Sequence, residues 1–101
     1  MSPFRITDIV WKEAVVEKVI SKHSVSIAEA EEALLSKPVV RRIVRGRVRG
    51  EDVYAAMAQI ASGRYLIVFF IDKKRGVALP ISARGMTPAE RKYYAKNRPT
   101  H

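Results

Sequence analysis

Residues 82–94 read SARGMTPAERKYY, and this stretch marks the end of a strand and the start of a helix. Thr87 and Glu90 have the spacing of a capping box, in which each side chain bonds the other residue's backbone N–H group. Pro88 suits the first helical position, where a missing N–H costs no hydrogen bond. We therefore predict a strand that ends at Ala83 and a helix that begins at Pro88.

Four strands are predicted in the second half of the chain. Two of them, Val53 to Ile60 apart from Gln59, and Arg64 to Ile71 after its first residue, are apolar on both parities, which is typical of central strands covered on both faces. Pro80 removes a backbone donor from the last strand, so that strand is expected at a sheet edge or at a bulge. The four predicted strands cover residues 39–48, 53–60, 64–71 and 77–83.

Two helices are predicted before the strands. Thr7 or Asp8 is expected to cap a first helix that ends near Lys22, because apolar residues recur there at helical spacing. Ser26 and Glu29 form a second capping box, which predicts a second helix that begins at the next residue.

This order of elements predicts an α+β fold. The fold would contain two N-terminal helices, an antiparallel meander sheet of three to four strands, and a short C-terminal helix from Pro88 to about Asn97, with the helices on one face of the sheet. A length of 101 residues with 48% apolar residues predicts one domain, residues 1–101, with a frayed tail from residue 97 onward.

The charge is strongly positive and unevenly distributed. The net charge is +9, and residues 38–101 alone carry fourteen basic and four acidic side chains. Such a basic region favours a polyanionic partner, first a nucleic acid and second an acidic protein, whereas a solvated basic face is the alternative.

Several classes of protein are not expected from this sequence. The longest apolar run, Tyr65 to Ile71, is too short to span a bilayer, and no apolar stretch follows Met1 as a signal peptide would. Two histidines and no cysteine predict neither a metal site nor thiol catalysis, and no cofactor motif is present. The lack of cysteine fits a cytoplasmic location.

Arginines on one parity of the first predicted strand form the broadest signal for nucleic-acid binding. Alternate residues of a strand lie about 6.6–7 Å apart, which is close to the phosphate repeat of a nucleic-acid strand. Protection of a sheet edge by charge is the alternative. These arginines are Arg41, Arg45, Arg47 and Arg49.

Three side chains are candidates for catalysis: His23, Arg64 and Arg84. His23, beside Lys22, follows the first predicted helix, and it is expected to donate a proton, to bind a phosphate, or to cap the last carbonyls of that helix. Arg84 either stabilises a phosphorane-like transition state or pairs with Glu90. Arg64 begins a central strand, and the alternative to a catalytic role is that it is a solvated arginine beside a turn.

Tyrosines and basic residues share the C-terminal helix. Arg91 and Lys92 are predicted to bind nucleic acid, and tyrosines among basic residues suit base stacking. One of Tyr93 and Tyr94 must pack the helix onto the sheet, and we expect this residue to be Tyr94.

Three groups of residues resemble one known family. Near the N-terminus they are Trp11, the run KHSVS at 22–26 and the run EAEE at 29–32. In the middle they are Gly63 to Leu66, and near the C-terminus they are Ile81 to Arg84, Thr87, Glu90, Arg91 and Tyr94. In this order they resemble the BrnT toxins, the ribonuclease halves of type II toxin–antitoxin pairs.

The resemblance implies a RelE-like fold and a metal-independent endoribonuclease that inhibits translation, without a cofactor. The 2′-hydroxyl of the RNA would attack the adjacent phosphate, with His23, Arg64 and Arg84 active and Glu90 and Tyr94 in support. The implied partner is a small antitoxin with a ribbon-helix-helix DNA-binding part, through which alone the complex would contact and repress its own operator.

One departure from the family pattern supports a second hypothesis. Many members carry a lysine four residues after the tryptophan, where this chain has Val15. Under the second hypothesis the chain is a non-catalytic or degenerate toxin that serves as an RNA-binding or antitoxin-binding module.

Overall fold

Five strands form one mixed sheet in the computed structural model, which describes residues 5–44 and 51–98. The sheet order is β1-β5-β4-β3-β2. Neighbouring strands from β2 to β5 are antiparallel, as predicted, whereas β1 lies parallel to β5. The elements are β1 (Asp8–Ile9), α1 (Glu13–His23), α2 (Ile27–Leu35), β2 (Val39–Val44), β3 (Val53–Gln59), β4 (Tyr65–Asp72), β5 (Val77–Gly85) and α3 (Pro88–Asn97).

The prediction that Thr7 or Asp8 caps the first helix is wrong. The backbone there is extended, because the N–H of Thr7 bonds the carbonyl of Gly76 at 2.8 Å and the N–H of Val10 bonds the carbonyl of Ala78 at 2.9 Å. Helix α1 begins only at Glu13 and has no side-chain cap. A two-residue strand leaves no periodic signal, so the apolar spacing extended the predicted helix backward over β1.

The helices lie on both faces of the sheet, so the prediction that they share one face is wrong. Helices α1 and α2 pack on the face that carries Ala56, Val68 and Phe70. Helix α3 packs on the opposite face, against Met57 and Ile67. The cause is visible in the sequence, because β3 and β4 carry apolar side chains on both faces of the sheet and both faces must therefore be buried.

A bulge in β5 decides which face Arg84 occupies. Phe69 pairs with Ser82 but Phe70 pairs with Pro80, so one extra residue lies between the two pairs. A bulge was one of the two alternatives predicted from Pro80 and is confirmed, whereas the other, an edge strand, is wrong because β5 lies between β1 and β4. Because the extra residue reverses the alternation, Arg84 lies opposite Ile67 and on the α3 face.

Candidate functional site

The capping box that begins α3 has the predicted geometry. The N–H of Glu90 bonds the hydroxyl of Thr87 at 3.2 Å, and the N–H of Thr87 bonds Oε1 of Glu90 at 2.8 Å. Pro88 occupies the first turn. This local chemistry fixes the Glu90 carboxylate beside the end of β5.

Arg84 and Glu90 form a two-point ion pair. Nη1 and Nη2 of Arg84 donate to Oε1 and Oε2 of Glu90, both at 2.8 Å. Nη1 also donates to the carbonyl of Gly85 at 3.1 Å. The Nε–H and one N–H of Nη2 have no acceptor within residues 5–44 and 51–98. These two donors form the side-on fork of the guanidinium, the geometry that binds two oxygens of a phosphate.

The ion pair also sets the protonation of both groups. Hydrogen bonds from Arg84 hold the pKa of Glu90 below its ordinary value, and the Thr87 N–H adds to this effect. The bond to Glu90 raises the pKa of Arg84. Arg84 is therefore a permanent cation, and Glu90 is a weaker proton acceptor than an ordinary glutamate.

Arginines stack on tyrosines beside this pair. The Arg91 guanidinium lies 4.0 Å from the ring centre of Tyr65, and that of Arg41 lies 4.7 Å from the ring centre of Tyr93. Tyr65 meets Tyr94 edge to face at 6.2 Å. Such stacking holds the guanidinium planes in place and leaves their outer sides for ligands.

Both tyrosines of α3 pack onto the sheet. The hydroxyl of Tyr94 accepts the backbone N–H of Gln59 at 3.2 Å, and the ring lies against the core on this face, which confirms the prediction for Tyr94. Tyr93 packs against the same core, which the prediction did not include. Lys92, between them and Arg91, is exposed.

Arg64 lies on the other face of the sheet. Its Nη1 donates to both carboxylate oxygens of Glu29, at 2.9 and 3.0 Å, and to the carbonyl of Ser24 at 3.0 Å. Glu29 also closes the capping box of α2 with Ser26, as predicted. These contacts join the hairpin between β3 and β4 to the start of α2, which is a structural role.

His23 lies near Arg64 in the fold, on the side of the sheet that α1 covers. It is the last residue of α1, and Ser24, which follows it, provides the Arg64 acceptor. At the end of α1 the backbone N–H of Ser24 bonds the carbonyl of Val19. The structure thus divides the three predicted catalytic residues between two faces, and their roles stay predictions, as does that of the exposed Lys22.

The predicted arginine stripe is described only in part. Arg41 is exposed and lies on the α3 face, stacked on Tyr93. Its neighbour Arg42 pairs with Asp52 at 3.7 Å. The other predicted members, Arg45, Arg47 and Arg49, lie outside the described residues.

A comparison with known protein families identifies the family to which this chain belongs. The family described as the ribonuclease toxin BrnT of type II toxin–antitoxin systems matches residues 11–90. The chain belongs to this family. A search of curated proteins found no match. As a BrnT toxin, the chain has an antitoxin as its partner.

The sequence did not identify Tyr65 as a partner of Arg91 in this BrnT toxin. The contact joins β4 to α3 across 26 positions of the chain, so no local spacing indicated it. The only signal was a tyrosine that begins an apolar central strand beside the hairpin turn. Together Arg84, Glu90, Arg91 and Tyr65 are called the Arg84 site below.

Two further properties concern the described part of the BrnT chain. Within it, no helix is long and apolar enough to cross a bilayer. Its histidine and acidic side chains form no group of three or more that could hold a metal ion.

The BrnT chain is expected to lose stability in acid. The pKa of Glu29 is lowered by the Ser26 N–H and by Arg64, and that of Glu90 by Arg84. Because both values lie below the ordinary 4.5, the unfolded state binds more protons, and the free energy of unfolding falls as pH drops below about 4.5. Urea denaturation between pH 3 and 6 measures this slope. The double variant Glu29→Gln and Glu90→Gln should flatten it, and an unchanged slope would contradict the assignment.

Proposed function

We propose that this chain is a metal-independent endoribonuclease that cleaves RNA at the Arg84 site and thereby inhibits translation. The observation that carries the proposal is the guanidinium of Arg84, which Glu90 holds at two points while its Nε–Nη2 fork lacks an acceptor in the described ranges. A fixed cation with an available fork suits a phosphate whose negative charge increases in the transition state.

The proposed reaction is transfer of the phosphate to its own ribose. The 2′-oxygen attacks the adjacent phosphorus, its proton passes to water, and the bond from phosphorus to the 5′-oxygen breaks. The 5′-oxygen takes a proton from water, so the products carry a 2′,3′-cyclic phosphate and a 5′-hydroxyl. Arg84 binds two non-bridging oxygens, and Glu90 positions Arg84 and is not the base, because its pKa is lowered. His23 is proposed as the alternative to water as the donor of the proton that the 5′-oxygen takes.

RNA binding is proposed to extend along the α3 face from the Arg84 site. Arg91 on Tyr65 and Arg41 on Tyr93 offer guanidinium planes on which bases stack, and exposed Lys92 adds a phosphate contact. Arg45, Arg47 and Arg49, which lie outside the described residues, are also proposed to bind RNA. Tyr94 supports it from beneath, through its edge contact with Tyr65.

The finer identity of the partner belongs to the same proposal. We propose that the antitoxin carries a ribbon-helix-helix part, that operator DNA is bound only through it, and that the pair acts in the cytoplasm. We also propose a RelE-like relationship and one domain for the whole chain. The support is the BrnT family match together with the α+β fold.

A second candidate function is a non-catalytic module that binds RNA or the antitoxin. The specific observation in its favour is Val15, which packs against the main core at a position where a lysine was expected. A charged side chain is therefore missing on the α1 side.

Incubation of the purified chain with a single-stranded RNA in EDTA tests the proposal. We expect cleavage at an unchanged rate in EDTA, with cyclic phosphate ends, and no cleavage where the 2′-hydroxyl is replaced by hydrogen. RNA affinity should fall steeply with salt because phosphate contacts release counterions. Bound RNA that stays uncut would favour the non-catalytic module, and cleavage that needs an added metal would contradict the metal-independent mechanism.

A further inference from the structure

The turn between β4 and β5 places basic side chains on an unusual backbone. Lys74, Arg75 and Gly76 all have positive φ, at 73°, 57° and 81°. Successive residues with positive φ are usually glycine or asparagine, because a Cβ is crowded in this left-handed region. Glycine is required at the third position, where a Cβ would lie 2.6 Å from Oγ1 of Thr7. Lys74 and Arg75 hold positions that a glycine would occupy with less strain, which is typical of residues with a function.

Hydrogen bonds hold this turn in one shape. The N–H of Lys74 bonds Oδ1 of Asp72 at 3.0 Å, and the N–H of Val77 bonds the carbonyl of Lys74 at 3.1 Å. The carbonyl of Gly76 accepts the N–H of Thr7 at 2.8 Å, which joins the turn to the segment before β1. The basic side chains therefore project from a fixed backbone, so less conformational entropy is lost when they bind a ligand.

A third cation meets the turn from the segment before β1. Exposed Arg5, Lys74 and Arg75 line one cavity of about 320 Å³. Asp72 lines it too, and its carboxylate lies 3.7 Å from Nζ of Lys74. Three cations against one carboxylate leave the described lining with an excess of positive charge, which attracts an anion with several charges.

We propose that Arg5, Lys74 and Arg75, called the turn site below, bind phosphates of an RNA strand at a distance from the bond that is cut. The inference rests on the proposed function, because it adds a second binding site for the same substrate. Tyr65 of the Arg84 site begins β4, and the turn follows the end of β4. At about 3.3–3.4 Å per residue, the eight residues of β4 place the two sites about 20–25 Å apart. One RNA strand of several nucleotides would therefore contact both sites.

RNA phosphates suit the turn site better than a peptide strand does. A peptide strand adds to a sheet through backbone groups. The backbone N–H groups of Lys73, Lys74 and Val77 already have acceptors within the turn, so recognition must use side-chain charge. Arginine and lysine side chains are the usual partners of phosphate in complexes of proteins with nucleic acids.

Glycine variants separate binding from folding, because glycine accepts positive φ. The double variant Lys74→Gly and Arg75→Gly removes two cations and relieves strain, so its thermal midpoint should equal or exceed that of the unmodified chain. We expect a loss of affinity of about tenfold at low salt for a 2′-O-methyl RNA, measured by fluorescence anisotropy. The slope of log affinity against log salt should fall by about 0.7 for each lost phosphate contact. This RNA lacks the attacking 2′-hydroxyl, so a failure of the proposed ribonuclease activity is distinguishable from a failure of this inference.

Lys37 provides a matched control for the glycine variants. It is also an exposed lysine with positive φ, at 57°, but it lies between α2 and β2 and does not line the cavity. Lys37→Gly should keep the RNA affinity within about twofold of the unmodified chain and leave the salt slope unchanged.

Three results would overturn this inference. One is an unchanged affinity and salt slope in the double variant. Another is an equal loss in Lys37→Gly, which would make the effect one of net charge alone. The third is a loss of binding to duplex DNA or to the antitoxin while RNA binding is unchanged, which would assign the turn to a different partner. If the double variant fails to fold, Lys74→Gln and Arg75→Gln are measured in its place.

Discussion

Replacement of Arg84 by alanine is expected to lower the rate of RNA cleavage by about 10²–10³-fold, the usual effect of removing one donor that stabilises transition-state charge. Arg84→Ala removes the guanidinium whose fork is proposed to bind the scissile phosphate. The fold should survive, because the side chain is 34% exposed and Glu90 keeps its capping bond to Thr87. Single-turnover cleavage of a labelled RNA measures the rate, and growth after induced expression measures toxicity.

Two matched variants control this experiment. Arg84→Lys keeps the charge but not the fork, so we expect a rate between those of Arg84→Ala and the unmodified chain. Arg64→Ala removes an arginine from the opposite face and, after solvent screening, should cost about 1 kcal/mol or less of stability. Equal loss of cleavage in Arg64→Ala and Arg84→Ala, with stability unchanged, would contradict the proposal that cleavage takes place at the Arg84 site without Arg64.

Those parts of the fold that depend on neighbouring residues were predictable from sequence. The capping boxes at Ser26 and Thr87 each need only a glutamate three residues later, and both are present. The bounds of α3 are as predicted, because Pro88 and the cap fix its start. Pro80 likewise indicated the bulge in β5.

Those parts that depend on distant residues were not predictable in the same way. Strand β1 exists because Gly76, almost seventy positions later, offers its carbonyl to Thr7. The face on which α3 packs depends on how far α1 and α2 already cover the sheet. The pattern of apolar residues indicated that both faces of the sheet are buried, but it did not indicate which helix packs on which face.

The candidate site also combines features set by neighbouring residues with features set by distant ones. Arg84 and Glu90 lie within one short stretch of sequence, and their ion pair was one of the two roles predicted for Arg84. The bulge in β5 places Arg84 on the α3 face. Arg64 lies on the opposite face, although Arg64 and Arg84 are at the same end of β4 and β5. The alternation of side chains along a strand does not by itself show where one extra residue reverses the faces of the residues after it.

Phe70→Ala is expected to lower the free energy of unfolding by about 3–5 kcal/mol, the usual cost of removing a buried aromatic ring. Phe70 is fully buried, in the core that α1 and α2 cover, and its ring stacks on Tyr54 at 5.8 Å. A domain of this size has about 5–15 kcal/mol in total, so the variant should be near its stability limit. Urea denaturation followed by circular dichroism measures the change.

The adjacent residue provides the control, because Phe69 and Phe70 point to opposite faces. Phe69 is only half-buried, and the Arg84 guanidinium lies 5.3 Å from its ring centre. Phe69→Ala should therefore cost less than half as much stability as Phe70→Ala but should slow RNA cleavage, since it removes the surface beneath Arg84. Equal destabilisation by the two variants would contradict the arrangement of one large core under α1 and α2 and one smaller buried cluster under α3.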